Sequence, residues 1–387
     1  MSAPLDGIVV ADFSRVLAGP LATMTLADLG AEVVKVERPG SGDDTRHWGP
    51  PWTETGSSSY FECVNRSKRS IALDLRDPDD LATARDLALR ADVLVENFLT
   101  GTLDRLGLGY DDLRAANPGL VYCSITGFGS GAGAEMPGYD FVVQALGGLM
   151  SITGPADGEP TKVGVALVDV LTGKDAVIGI LAALRERSVS GLGQRIEVNL
   201  LSSLLGSLVN QAASYLTTGR SPGRMGNQHP SIAPYETLRC RDGLIALACG
   251  NDAQFAKIAD VISVADLDQT TQKHDNVMQF LTNRDRVTHR EELIAVLEQG
   301  LARDDVATWV RRLNDVGVAA GAVNDVGAAL MLADRLGLDP TVHVGADHPD
   351  QVRHPITWSR STLPAPTAPP ALGEHTDQIR AQLKETP

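Results

Sequence analysis

The chain opens with Gly7-Ile8-Val9-Val10-Ala11-Asp12, a helical pattern over Pro20–Leu29, and then Ala31-Glu32-Val33-Val34-Lys35-Val36. Two short β-rich apolar runs separated by one helix make a βαβ unit, whose strands run parallel. The alternation continues outward, with strands expected at Ser70–Leu75, Asp92–Glu96 and Leu120–Thr126 and a helix at Pro78–Ala91. Helical spacing recurs at Tyr139–Met150, Val170–Arg187 and Asn199–Tyr215. The fold class is therefore α/β with a mostly parallel sheet.

Composition changes near residue 216. Gly, Pro, Ser and Asn crowd residues 216–234, the mark of a linker or an exposed loop. Residues 235–323 read as a smaller α+β domain: a hairpin over Tyr235–Cys249 turning at Arg241-Asp242-Gly243, then helices at Asp252–Ile262, Arg290–Leu301 and Asp304–Leu313. Pro349–Pro370 is extended, and Glu374–Leu383 closes the chain as a helix.

With 387 residues, 43% of them hydrophobic, the chain can bury at least one large core. No apolar run approaches bilayer length and none has the flanks of a signal peptide, so a soluble, cytoplasmic protein with no membrane partner is expected. The cysteines Cys63, Cys123, Cys240 and Cys249 lie far apart, with neither a CxxC pair nor metal-ligand spacing to a histidine, and read as reduced thiols with no metal site. A formal charge of −15 repels polyanions and excludes nucleic acid as a partner. An anionic ligand must be held locally, and Arg15, Arg38, Arg46, Arg66, Lys68, Arg69 and Arg76 supply cations early in the chain, although many such residues are ordinary surface charge.

The first turn, Phe13 to Pro20, lacks the Gly-x-Gly-x-x-Gly that lets a backbone approach a dinucleotide pyrophosphate, and Gly127-Phe128-Gly129-Ser130-Gly131 alone is a weak signal. Walker A and HExxH patterns are absent from the sequence. The chemistry-bearing stretch runs from Pro137 to Arg195, where Val168-Asp169-Val170-Leu171-Thr172-Gly173 places an acid between a β-like run, Val163–Val168, and a helix. Strand ends of α/β sheets open onto ligand crevices. Helix capping competes for the same residue, because Asp is a favoured N-cap.

The wider pattern decides between them. Asp12-Phe13-Ser14-Arg15-Val16-Leu17-Ala18-Gly19-Pro20, Gly30 to Gly40, Gly42-Asp43-Asp44-Thr45-Arg46, Asn65 to Ser70, Glu96-Asn97-Phe98, Tyr122 to Gly129, Gly138-Tyr139-Asp140, Gly226-Asn227-Gln228-His229-Pro230 and Gly373-Glu374-His375-Thr376 follow one another over nearly the whole chain. Together they resemble the class III CoA-transferases, the family of formyl-CoA transferase and the carnitine CoA-transferases. The resemblance implies that Asp169 is a nucleophile and that Val16, Leu17, Ala18, Arg38, Asn97, Phe98, Arg105 and Tyr139 contact CoA. Leu73 to Arg76 would follow its adenosine, with Arg38, Arg76 and Arg105 at its phosphates. It further implies a Rossmann-like large domain built from residues 1–215 and 324–387, a small domain, and an interlocked homodimer. Acyl-CoA and a carboxylic acid are substrates, and no tightly bound cofactor is expected.

Within the wider superfamily the competing activity is that of α-methylacyl-CoA racemase, which uses a His in a Gly-His-Asp context. Tyr139 occupies that position here, and a phenol, titrating at about 10 in water, is a poor base at neutral pH. A catalytically silent CoA-binding protein is a further alternative, which would have no need of Asp169. Formyl-CoA transferase carries a run of glycines where this chain has Cys249-Gly250-Asn251-Asp252, and the latter resembles relatives that use dicarboxylates, with succinyl-CoA as donor. Gly250, Asn251 and Asp252 are thus substrate candidates, though Asn251-Asp252 equally suits a helix cap. Arg15 and Arg46 are candidates for a distal carboxylate, or surface charge.

Overall fold

The computed structural model describes residues 2–263 and 279–385. They form two compact units, one from Met1–Leu149, Lys162–Ser221 and Asp339–Pro387, the other from Met150–Thr161 and Pro222–Leu338. The second unit therefore extends beyond residue 323, to Leu338, and also takes in the short segment Met150–Thr161.

In the larger unit six strands make one sheet: β1 (Val9–Asp12), β2 (Glu32–Glu37), β3 (Lys68–Ala72), β4 (Val93–Glu96), β5 (Val121–Thr126) and β6 (Arg195–Asn199). Every pair is parallel, in the order β3-β2-β1-β4-β5-β6. In this doubly wound order the chain leaves β1 toward one edge and continues from β4 toward the other, so the loops after β1 and β4 part over a crevice. The period of two assigns the faces. Val33, Val93 and Val95 pack with helices α1 (Ala18–Asp28) and α4 (Leu167–Ser190), while Val34 and Leu94 pack with α2 (Pro78–Arg90) and the C-terminal helix Thr376–Glu385.

Helix–helix approach over the first face depends on Gly173, where a Cβ would lie 2.7 Å from the Ala18 carbonyl of α1. At the β3 edge the Gly373-to-Thr376 segment serves as a cover: the His375 N–H donates to the Ser70 carbonyl at 2.9 Å, and Thr376 Oγ1 accepts from Ala72 N at 3.0 Å. These bonds satisfy backbone groups that an edge strand would otherwise expose.

Three expectations need correction. Val163–Val168 is not a strand: these residues pair with no neighbour and α4 already begins at Leu167. Tyr139–Met150 is not one helix, because α3 (Asp140–Leu146) stops at Gly147 and Gly148 takes φ +86°. Asn199–Tyr215 likewise splits, into α5 (Leu200–Ser207) and a helix over Val209–Thr218.

The smaller unit has a three-stranded antiparallel sheet, β7 (Tyr235–Arg239), β8 (Leu244–Ala248) and β9 (Ala319–Ala322). Its core joins Leu238, Ile245 and Leu247 to Phe255 and Ile258 of α6 (Asp252–Ile262) and to Leu293, Leu297 and Trp309 on the following helices. Among the described residues no helix is long and apolar enough to cross a membrane.

Candidate active site

Where the β1 and β4 loops part, Arg15 and Asn97 tie them together. The Arg15 amide donates to Asn97 Oδ1 at 2.9 Å, and Asn97 Nδ2 donates to the Arg15 carbonyl at 2.7 Å. Val16 is then held at φ +72°, a left-handed conformation that a β-branched residue rarely adopts. The carboxylate of Asp43 accepts its N–H at 3.2 Å and so fixes the turn into α1, whose N-terminus no side chain caps. Uncapped first-turn amides suit an anionic oxygen.

Two adjoining cavities lie at this end of the sheet. One, of about 240 Å³, is lined by Val16, Leu17 and Ala18, by Asn97 and Phe98, by Gly127 to Gly129, and by Tyr139 and Asp169. The other, of about 320 Å³, is lined by Arg38 and by Leu73, Asp74, Leu75 and Arg76. Arg15, Asp44 and Phe98 line both. An extended groove thus runs from Arg38 and Arg76, the latter paired with Asp74 at 2.7 Å, to Asp169.

Asp169 is the third residue of α4, inside the helix and not at its cap. The capping is done from 28 residues away by Asp140, the first residue of α3, whose Oδ1 accepts from Val168 N at 2.7 Å and from Asp169 N at 3.2 Å. Gln144, one turn on, donates to Asp140 Oδ2 at 2.6 Å and accepts from Val163 N at 2.9 Å, so the approach to α4 is pinned by α3. Among the described residues nothing donates a hydrogen bond to the Asp169 carboxylate. Burial, and then the charge of Asp140, push its pKa up to about 7. Its first-turn position favours the charged form by at most about 1 kcal/mol, too little to cancel that shift. Tyr60 belongs to the same neighbourhood: burial and the charges of Asp169, Cys63 and Asp140 raise its hydroxyl to about 12, so it remains a proton donor at neutral pH.

The other candidates sort by what they touch. Arg46 lines neither cavity. Its Nε and one terminal nitrogen bind the Glu37 carboxylate at 2.8 and 2.7 Å, the same nitrogen reaches the Pro370 carbonyl, and the guanidinium covers Phe61. It is structural and not a free partner for substrate. Arg105 also lines neither cavity and donates to Thr102 Oγ1 at 3.1 Å. Gly250, Asn251 and Asp252 belong to the smaller unit, where Asn251 caps α6 through Gln254 N at 2.9 Å and Asp252 pairs with the buried Arg286 at 2.7 Å. Sequence reasoning gave no role to Asp140, Tyr60 or Asp44, although Asp140 stands beside Tyr139 in a stretch that had been singled out.

Fold and site together define an α/β protein that presents a carboxylate at one end of an extended groove over its topological switch point. A profile described as CoA-transferase family III matches residues 5–376, and the chain belongs to that family and is a CoA-transferase. It is 41% identical to the succinate–glutarate CoA-transferase of Agrobacterium fabrum, over 98% of this chain and 96% of the relative. It is 39% identical to the mouse succinyl-CoA:glutarate CoA-transferase, over 99% of this chain and 86% of the relative. A crystal structure of a CaiB/BaiF family protein from Brucella suis, 43% identical, superposes with a TM-score of 0.88 over 99% of this chain and all of that one.

Proposed function

We propose that this chain moves CoA from succinyl-CoA to a second dicarboxylate through covalent intermediates on Asp169. The observation that carries the proposal is that carboxylate: largely buried, accepting no hydrogen bond among the described residues, and lining a cavity that adjoins an Arg-lined groove. Substrates of this class are those of the relatives from Agrobacterium fabrum and mouse.

An Asp169 oxygen attacks the thioester carbonyl, the C–S bond breaks, and CoA leaves as thiolate, giving a mixed anhydride. The thiolate attacks the aspartyl carbonyl and releases the donor acid, leaving an aspartyl-CoA thioester. The acceptor carboxylate attacks that thioester and expels thiolate, which then attacks the acceptor's acyl carbon and restores the Asp169 carboxylate. The overall reaction exchanges one thioester and one free carboxylate for another such pair of similar energy, so no ATP is consumed.

The nucleotide of CoA, held at Arg38, Arg76 and Leu73 to Leu75, keeps the thiolate at hand through all four attacks. Amides of the uncapped α1 start are donors for the tetrahedral oxyanions. A carboxylate that titrates near neutrality is a stronger nucleophile than an ordinary one while still substantially ionised at pH 7 to 8.

A cytoplasmic homodimer with interlocked chains completes the proposal. Four free cysteines suit a reducing compartment, and exposed Tyr215, Leu216, Val326, Met331 and Leu336 suit burial against a second copy. Incubation of the pure protein with panels of acyl-CoAs and free acids, read by mass spectrometry, is expected to show CoA exchange without ATP between succinyl-CoA and dicarboxylates. Epimerisation of a 2-methylacyl-CoA without exchange would contradict it.

A further inference from the structure

We propose that Arg15 selects dicarboxylates by exchanging its resting partner Asp44 for the distal carboxylate of the substrate, an inference that rests on the dicarboxylate reading above. A dianion entering the Asp169 cavity must overcome both the −15 charge of the chain and the carboxylates of Asp44 and Asp169. Among the described residues lining that cavity Arg15 is the sole cation. Of the other early cations, Lys35 is fully buried on Asp43 at 2.9 Å, Lys68 on Asp12 at 3.1 Å and Arg46 is held on Glu37, while Arg38 and Arg76 line the adjoining cavity.

Arg15 is held differently at its two ends. Its backbone is clamped on both sides by Asn97, so the side chain starts from a fixed point. Its guanidinium makes one side-chain hydrogen bond among the described residues, from one terminal nitrogen to Asp44 at 3.0 Å, and lies 5.7 Å from the Phe98 ring centre. Both partners of this pair are about half exposed, at 48% and 55%. An ion pair so exposed contributes under about 1 kcal/mol, so it can be given up cheaply. A bidentate contact to a substrate carboxylate, using the donors that Asp44 leaves free and enclosed by the acyl chain, is stronger. Asp44 thus shields the cation while the site is empty and yields when a second carboxylate arrives.

The test compares glutarate with pentanoate as acceptors from succinyl-CoA, together with the Kd for free CoA by calorimetry. Arg15→Gln is expected to lower the ratio of kcat/KM for glutarate over pentanoate by roughly 10- to 100-fold, the worth of a charge-assisted hydrogen bond. The loss should fall mainly on the KM for glutarate, with CoA affinity kept within about twofold. Asp44→Asn, which frees the guanidinium, is expected to lower the KM for glutarate and so tests the exchange should Arg15→Gln fold poorly. An unaltered glutarate-to-pentanoate ratio in Arg15→Gln, a parallel fall in CoA affinity, or a higher KM for glutarate in Asp44→Asn would overturn the assignment. If the unmodified protein transfers CoA to pentanoate and to no dicarboxylate, the dicarboxylate reading itself fails, an outcome distinct from these.

Discussion

Asp12, at the end of β1, and Asp169, in the first turn of α4, are both carboxylates withdrawn from water within the same unit. Around Asp12 the burial that would raise its pKa is outweighed by Lys68 and Lys35 and by hydrogen bonds from Ser14 and Thr23, and it titrates at about 2. Around Asp169 burial is reinforced by the charge of Asp140, and it titrates at about 7. Burial alone therefore does not mark a functional acid. What distinguishes the site is burial without a compensating cation, a cost that folding tolerates where chemistry needs it.

The same amide substitution separates the two positions. Asp169→Asn is expected to reduce CoA transfer at least about 10³-fold, since the other carboxylate lining the cavity, Asp44, is paired with Arg15. Asp12→Asn leaves Lys68 and Lys35 buried with less compensation and is expected to cost on the order of 3–5 kcal/mol in urea unfolding. Asp169→Asn should move stability the other way. Its folded pKa lies above the unfolded one, so the wild-type carboxyl destabilises the fold increasingly as pH rises from about 4 to about 7. A gain of roughly 2–4 kcal/mol is expected at pH 8, vanishing below about pH 4. Equal signs for the two variants at pH 8 would break the comparison.

A smaller effect isolates Asp140. Asp140→Asn keeps an oxygen to accept from Val168 N–H but removes the like charge, so Asp169 ionises more readily. The acid limb of kcat/KM, which falls below about pH 7 as Asp169 protonates, should move to lower pH. An unmoved limb would remove Asp140 from the account.

Strands β1 to β5 were legible because their apolar runs are dense and covered on both faces; each lies within about three residues of its expected bounds. β6 was missed although Arg-Ile-Glu-Val-Asn alternates, since only two apolar residues mark this short, half-exposed strand at the sheet edge. The alternating Val163 to Val168 run imitated a strand, yet it leads into a helix whose cap comes from α3. Neither that cap nor the engagement of Arg46 by Glu37 has a local signature; both depend on contacts made only once the sheet is assembled. Asp169 stood out through the surrounding motifs, while its capping alternative failed because Asp140 already supplies the cap.

In the proposed mechanism the Asp169 carboxyl becomes covalently linked to CoA during turnover. Acid-quenched protein incubated with succinyl-CoA, then digested and analysed by mass spectrometry, should carry CoA on the peptide containing Asp169 and on no other. Full exchange activity with that peptide unlabelled, or an equal adduct in Asp169→Asn, would contradict it.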